Sequence, residues 1–424
     1  MDQNIYANCI AILKEELIPA LGCTEPIALA YAAAKARETL GQMPSEIEVC
    51  SSGNIVKNVK AVTVPNSGGM RGIAAAAVLG VVGGQAQLQL EVLDHVTPDQ
   101  IRQTQELLDK KICRARLVTG VDKLYIQVRV TAPDGQSASV TIEGHHTNIT
   151  RIEKNGQVLY DCPLQRTNEE KRADRSCLSV RTILEFAQQV DLADVAPVLE
   201  RQVECNTKIA EKGLEDFQGV GVASALLAQE EEMQPYTRAR AMAAAASEGR
   251  MSGCSLPVVI NSGSGNQGIT VSVPVAVYAQ TVGASHEQLL RALVISNLIS
   301  VHLKKYIGDL SAFCGAVTAA CGAGAAVCFL EKGGYEEISD VITNTLAAVS
   351  GIVCDGAKPS CAAKISSALD AAFLAVDLAK KHHVFHEGDG LVGGDVEQTI
   401  RNIGCLGREG MEETDTKILE LMMA

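Results

Sequence analysis

The sequence has no tryptophan, and aromatic residues make up only 3% of its 424 positions. A core without large rings has to be filled by small aliphatic side chains, so its elements must pack at close range. Basic residues are outnumbered as well: 37 Lys and Arg face 50 Asp and Glu, a formal charge of −13. That balance excludes a nucleic-acid partner, because phosphate binding needs clustered cations. No basic segment precedes an apolar one at Met1-Asp2-Gln3-Asn4, so no secretory signal is read and a reducing, cytoplasmic setting is expected. Leucine-rich runs are missing too. Three uncharged stretches, Gly72–Leu90, Val258–His286 and Leu310–Leu330, approach the roughly 20 residues that span a bilayer. They consist largely of Ala, Gly, Ser and Cys, whose transfer into lipid gains little. They read as buried helices and loops, and no membrane partner is expected.

What the sequence does have is cysteine. Fourteen are present, and in a reducing compartment they point to packing, metal or thiolate chemistry rather than a disulfide framework. At roughly 100–200 residues per domain, the length predicts two or three domains. Apolar residues recur at helical spacing from Ile5 to Leu17, and an Ala-rich helix runs from Thr24-Glu25-Pro26 to Leu40, where Gly41 stops it. Strands are predicted at Ser45–Ser51 and Val59–Val64, and a helix at Ile73–Val82. Leu124–Thr131 and Ser137–Glu143 alternate around Pro133-Asp134-Gly135 as a hairpin, and a further strand, Thr147–Glu153, follows. Beyond Val180, helical periodicity dominates, with one helix read across Leu310–Leu330. The expected class is α+β: residues 1–163 form an N-terminal α/β region with an antiparallel sheet, 164–178 a linker, and 179–424 a mostly helical catalytic domain. Ala- and Gly-faced helices make a homodimer an expectation.

Most of the cysteines stand alone in helix or strand patterns and read as small core residues. Cys314, Cys321 and Cys328 lie seven apart on one helical stretch, about 10 Å between neighbours. That spacing is too long for two of them to share one zinc ion. Cys354-Asp355-Gly356-Ala357-Lys358-Pro359-Ser360-Cys361 brackets a tight Gly/Pro loop between helices, which suits an iron–sulfur ligand pair or a plain packed turn. Cys23 opens a helix, where the partial positive charge favours a thiolate, or it is an incidental cysteine in a capping turn. Three loops offer backbone N–H groups and amides to a small anion: Ser51-Ser52-Gly53-Asn54 with Lys57, Asn66-Ser67-Gly68-Gly69, and Asn261 to Gly268 with Asn266 and Gln267. The last reads G-x-G-x-x-G but lacks the βαβ setting of a dinucleotide site. His382, His383 and His386 read as a helix end rather than a metal cluster.

Taken together, Gly22-Cys23-Thr24-Glu25-Pro26, the Asn261–Gly268 loop, the Cys354/Cys361 loop and Gly388-Asp389-Gly390-Leu391-Val392-Gly393-Gly394-Asp395 resemble the L-cysteine desulfidase family. That family is related to the α-chain domain of iron–sulfur L-serine dehydratases, and the resemblance covers essentially the whole chain. It implies a [4Fe–4S] cluster in the helical domain, held by Cys314, Cys354 and Cys361, with one iron open as a Lewis acid and no pyridoxal phosphate. It places Cys23 near the open iron as the base, with Lys57 behind it. Substrate carboxylate is then expected on Ser51, Ser52, Gly53, Asn54, Ser67, Gly68, Asn266 and Gln267. The implied reaction is β-elimination of L-cysteine to pyruvate, ammonia and sulfide. Dehydration of L-serine, or a cluster- or thiol-bearing sensor without turnover, are the alternatives. The six residues between Cys354 and Cys361 form a shorter gap than in the serine dehydratases, which favours the desulfidase branch.

Overall fold

The computed structural model describes residues 1–60, 62–162, 173–215, 219–228, 234–308 and 310–423. Its strands are β1 (Pro19–Leu21), β2 (Glu46–Ser51), β3 (Cys113–Leu117), β4 (Tyr125–Thr131), β5 (Ser137–Glu143), β6 (Ile149–Lys154), β7 (Gln157–Asp161) and β8 (Pro257–Val259). Six of them form one sheet in the order β3-β2-β4-β5-β6-β7, antiparallel except for the parallel β2–β3 edge pair. Alternation dictates its inner face. Ile126, Val128 and Val130 of β4 are buried, as are Ile47 and Val49 of β2, and helix Thr24–Leu40 lies against β4 and β5. The other side of that helix meets helix Gly72–Gly83. Enclosure on both sides explains why Thr24–Leu40 is apolar nearly all round rather than amphipathic.

The second half is helical, and the overall class is α+β. Helix Gly315–Leu330 runs through its middle, packed by His286–Ile307, Gly265–Thr281, Tyr335–Val349 and Cys361–Ala379. A helix with four neighbours needs small residues. A Cβ on Gly322 would overlap the Ser296 carbonyl, and one on Gly80 would overlap the Ala30 carbonyl. The two halves are tied by strand pairing, since β1 runs antiparallel to β8 with Ala20 opposite Val258. Helix Gln3–Glu16, just before β1, packs on the helices Leu192–Glu215 and His286–Ile307. No described helix is long and apolar enough to cross a membrane.

Several elements differ from expectation. The strand predicted at Val59–Val64 is instead the end of a helix, Gly53–Val59, followed by a single bridge between Thr63 and Arg71. Ile55 and Val59, four apart, are both buried, so helical spacing wins over β-branched composition. The helix read from Leu310 begins only at Gly315, and residues 310–314 are irregular. Cys314 therefore caps that helix and does not share a helical face with Cys321 and Cys328. Residues 164–172 of the expected linker lie outside the described residues; Arg175–Cys177 beyond them form a 3-10 turn. Helices Pro98–Asp109, Val396–Cys405 and Glu412–Met423 were not read from the sequence, although Thr97 and Gln100 make a complete capping box for the first.

Helix Glu412–Met423 docks on Gly53–Val59. Asp415 forms an ion pair with Lys57, and the side chains retain only 14% and 2% exposure, while a Cβ on Gly53 would overlap Leu419. Removing one partner strands the other charge. Asp415→Asn is expected to lower unfolding free energy by about 3–5 kcal/mol, and the double variant Asp415→Leu/Lys57→Met to recover most of it, in denaturant titrations at constant m-value. Gly80→Ala should cost about 1–3 kcal/mol by overpacking. Gly351→Ala, with no atom within 4 Å of the added carbon, should stay within about 0.5 kcal/mol in the same titrations.

Candidate functional site

Four helix N-termini converge on one cavity of ≈110 Å³. Cys23 is the N-cap of Thr24–Leu40, Ser264 of Gly265–Thr281 and Cys314 of Gly315–Leu330, and Cys361 is the first residue of Cys361–Ala379. Each of these residues lines the cavity. Helix starts carry unpaired N–H groups and partial positive charge, so the chamber is built for anionic atoms. The β1–β8 pair sets the relative position of the first two, because β1 ends just before Cys23 and β8 just before the Asn261–Gly268 loop. Of the 14 cysteines, Cys23, Cys314, Cys354 and Cys361 line this chamber.

Cys314 and Cys354 are brought together by a short antiparallel contact. The Cys314 N–H donates to the Ile352 carbonyl at 3.0 Å and the Cys354 N–H to the Ala312 carbonyl at 2.6 Å, around a Phe313–Val353 bridge. Their thiols share a hydrogen bond that pulls Cys354 down against the opposing effect of burial, with help from the ammonium charges of Lys57 and Lys364, while Cys314 is pushed up by the same bond and by burial. The Lys358 N–H donates to the Cys361 sulfur at 3.4 Å, and burial pushes the Cys361 thiol up. Gly356, at φ +92°, passes directly over helix Gly53–Val59, where a Cβ would come within 2.7 Å of the Lys57 carbonyl. Lys57 reaches the Cys354 carbonyl at 3.5 Å as well as Asp415. Among the described residues, no three His, Cys, Asp or Glu side chains close on a single metal ion.

On the same chamber wall, the buried carboxylate of Glu25 collects donors. Its Oε2 accepts from Cys23 Sγ at 3.0 Å and from Thr24 Oγ1 at 3.1 Å, and its Oε1 accepts from Asn58 Nδ2 at 2.7 Å. His146 Nε2 stands 3.9 Å from Oε1, an ion-pair distance, and has no hydrogen-bond partner of its own. Burial opposes ionisation of Glu25, but the His146 imidazole and the Cys23 thiol outweigh it and hold the carboxyl well below the usual carboxylate range. Cys23 goes the other way: burial, then the Glu25 charge, push its thiol well up, against the smaller pull of Arg250. The helix N-terminus alone favours a thiolate; these larger effects leave a thiol that donates to Glu25.

An outer chamber of ≈160 Å³ adjoins the first, with Glu25, Ser264, Gln267, Lys304 and Leu310 common to both. Its wall carries His145, His146, Arg175 and Lys305. Arg175 is braced by Glu16 at 2.6 Å, and Lys305 donates to the carbonyls of Arg175 and Leu178 at 3.0 Å each.

Of the expected substrate contacts, Asn54, Asn266 and Gln267 line the inner chamber, as does Lys57. Ser51, Ser52, Gly53, Ser67 and Gly68 line neither chamber. The Ser51 hydroxyl is buried without a partner, Ser52 donates to the Lys123 carbonyl at 2.6 Å, and Gly53 sits under Leu419. The Ser67–Gly68 loop folds the other way: the Ser67 hydroxyl donates to the Met70 carbonyl, Asn66 donates to the Leu93 carbonyl, and Gly68 faces Ile101. Cys321 and Cys328 are buried within their helix, and His382, His383 and His386 line neither chamber. Sequence reasoning missed Glu25, His146, Arg250 and Asp415 as site residues. Glu25 lay inside a motif already singled out. His146 is marked only by a His-His pair in a turn after β5, and Arg250 and Asp415 have no local signal.

Residues 87–420 match the family model described as serine dehydratase alpha chain. Cys314, Cys354 and Cys361 fall inside that span, and Cys23 precedes it. Similar chains include a UPF0597 protein of Lachnoclostridium phytofermentans, 50% identical over 419 residues that cover 99% of this chain and 100% of that one. A UPF0597 protein of Finegoldia magna is 47% identical over 98% of this chain and 99% of its own, and one of Treponema denticola is 44% identical over 100% and 99%. The family model spans more than half of the chain, and the relatives match it along its length: the chain belongs to the serine dehydratase alpha chain family.

Proposed function

We propose that this chain is a cytoplasmic carbon–sulfur lyase that releases sulfide from L-cysteine at an iron–sulfur cluster. The observation that carries the reading is the placing of Cys314, Cys354 and Cys361 on one chamber with Cys23 on its wall, at converging helix N-termini. The donor chemistry fits a cluster. Three soft thiols share a cavity lined by Lys57 and Arg250, and the charge of Lys364 acts on Cys354 and Cys361 from behind it, so that thiolate charge is offset. A cube takes each thiolate on a different iron, so the sulfurs need not close on a single ion. When bound there, a [4Fe–4S] cluster supplies an open iron that holds the departing sulfur as a Lewis acid.

The remaining work falls to the chain. Asn54, Asn266, Gln267 and Arg250 line the chamber with donors suited to the substrate carboxylate. Cys23 faces the same space and takes the α-proton. The C–H electron pair becomes the Cα=Cβ bond as the Cβ–S pair leaves with sulfide, and the resulting aminoacrylate hydrolyses to pyruvate and ammonia. Lys57, which the sequence offers as a second base, is committed to Asp415 and to the Cys354 carbonyl; it acts as a fixed cation beside the cluster ligands. The family description supports a second reading, dehydration of L-serine in the same chamber.

Protein purified without oxygen is expected to show the broad visible absorption of an iron–sulfur cluster and to release sulfide and pyruvate in equal amounts from L-cysteine, faster than pyruvate from L-serine. Faster turnover of L-serine would select the dehydratase, and turnover of neither would leave a sensor. Cys314→Ala, Cys354→Ala and Cys361→Ala should each lose cluster absorbance and bound iron. Cys321→Ala, a change outside the chamber, should retain both, as metal analysis would show.

A further inference from the structure

The mechanism above needs Cys23 as a thiolate, yet the fold holds it as a buried thiol. Cys23 is only 2% exposed, so its proton has little direct access to bulk water. The geometry offers a route through two neighbouring side chains, a hydrogen bond followed by a longer ion-pair step. Cys23 Sγ donates to Glu25 Oε2 at 3.0 Å, and the other carboxylate oxygen faces His146 Nε2 at 3.9 Å. That nitrogen is buried without a hydrogen-bond partner, while the ring lines the outer chamber. Asn58 and Thr24 fix the carboxylate between the two, and Thr24 also donates to the Gly263 carbonyl at 3.2 Å. Gly263, at φ +73°, keeps the space beside the imidazole open, its nearest neighbour for an added Cβ being His146 Cε1 at 3.6 Å. A carboxylate that only balanced charge would not need a thiol donor on one oxygen and an imidazole facing the other.

We infer that Glu25 and His146 form a proton relay linking Cys23 to the outer chamber, with Glu25 the group that accepts the thiol proton during turnover. The inference rests on the lyase reading. The Cys23 S–H bond breaks, its electron pair stays on sulfur, and the proton passes to Glu25 Oε2. Glu25 returns to carboxylate when its carboxyl turns the O–H toward His146 and gives the proton to Nε2, while the ring gives up the proton on its other nitrogen, Nδ1, to water in the outer chamber. The thiolate left behind then takes the substrate α-proton. Both are positioning residues acting through Cys23, and the Arg250 and Lys358 cations that also act on it stay in place when either is replaced.

Two readouts test this. Alkylation of Cys23 by iodoacetamide, followed by peptide mass spectrometry across pH, reports its ionisation; sulfide release reports turnover. Glu25→Gln removes the negative charge and the oxygen able to take up a proton, so the alkylation midpoint of Cys23 should move to lower pH while kcat falls about 100-fold with KM little changed. A more acidic thiol in a slower enzyme is a combination that mere loss of packing does not produce. Glu25→Asp keeps the carboxylate and should retain kcat within about tenfold; it serves as the variant of record if Glu25→Gln does not fold. His146→Ala should lower kcat, and imidazole added to the buffer should restore part of it. An unchanged alkylation profile in Glu25→Gln, or full kcat in that variant, overturns the relay, and failure of imidazole to rescue His146→Ala overturns its outer limb. If the wild-type chain releases no sulfide, the lyase reading fails, and the alkylation profile alone decides whether Glu25 controls Cys23.

Discussion

The close approach of helix backbones is the constraint on which the rest of this structure depends. Gly322 lies on the Ser296 carbonyl, Gly213 on that of Ala245 and Gly80 on that of Ala30. At each contact a methyl group has no room. Interaxial distance follows the side chains at the crossing, so glycine and alanine let Gly315–Leu330 accept four helical neighbours where leucine would admit fewer. The lack of tryptophan belongs to the same design. Tight crossings also bring several helix starts to one place, and that place is the chamber.

Those helix starts solve one electrostatic problem and create another. Anionic sulfur is expensive to bury, and converging N–H groups with nearby Lys57, Lys364 and Arg250 offset that cost. But buried cations need partners of their own. Asp415 answers Lys57, Asp355 answers Lys364, and the Gly22 carbonyl accepts from Arg250 at 2.8 Å. Glu25 is the exception, a carboxylate kept charged inside the chamber by His146, Asn58 and the hydroxyl and thiol that precede it. Lys57 and Lys364 thus act on Cys354, while Arg250 and the Glu25 carboxylate act on Cys23 from opposite signs.

The fold class was legible because it rests on local pattern, whereas the set of four cysteines came from the family resemblance, local spacing alone having left a packed turn as an equal reading. Alternation around Pro133-Asp134-Gly135 dictates a hairpin, and a Gly/Pro loop between Cys354 and Cys361 turns both toward one space. Local pattern was also what misled. A glycine-rich loop before a helix looks alike whether it faces a ligand or a neighbouring helix, so Ser67 and Gly68 read as donors although their loop folds toward Leu93 and Ile101. Val59–Val64 has strand composition, but Ile55 and Val59 bury one helical face. Asp415 was illegible for a deeper reason: nothing near it in the chain announces a partner, and the contact exists only because helix Glu412–Met423 returns to Gly53–Val59.

That return has a consequence for the growing chain. Lys57 and Asp415 are separated by 358 positions, which at roughly 5–20 residues per second takes a ribosome on the order of 20–70 s to cover. Throughout that interval the ammonium beside the Cys354 segment has no carboxylate to meet, and the helix carrying it is better left in water than buried. The ion pair can therefore form only once Asp415 has been made, after every cysteine that lines the chamber.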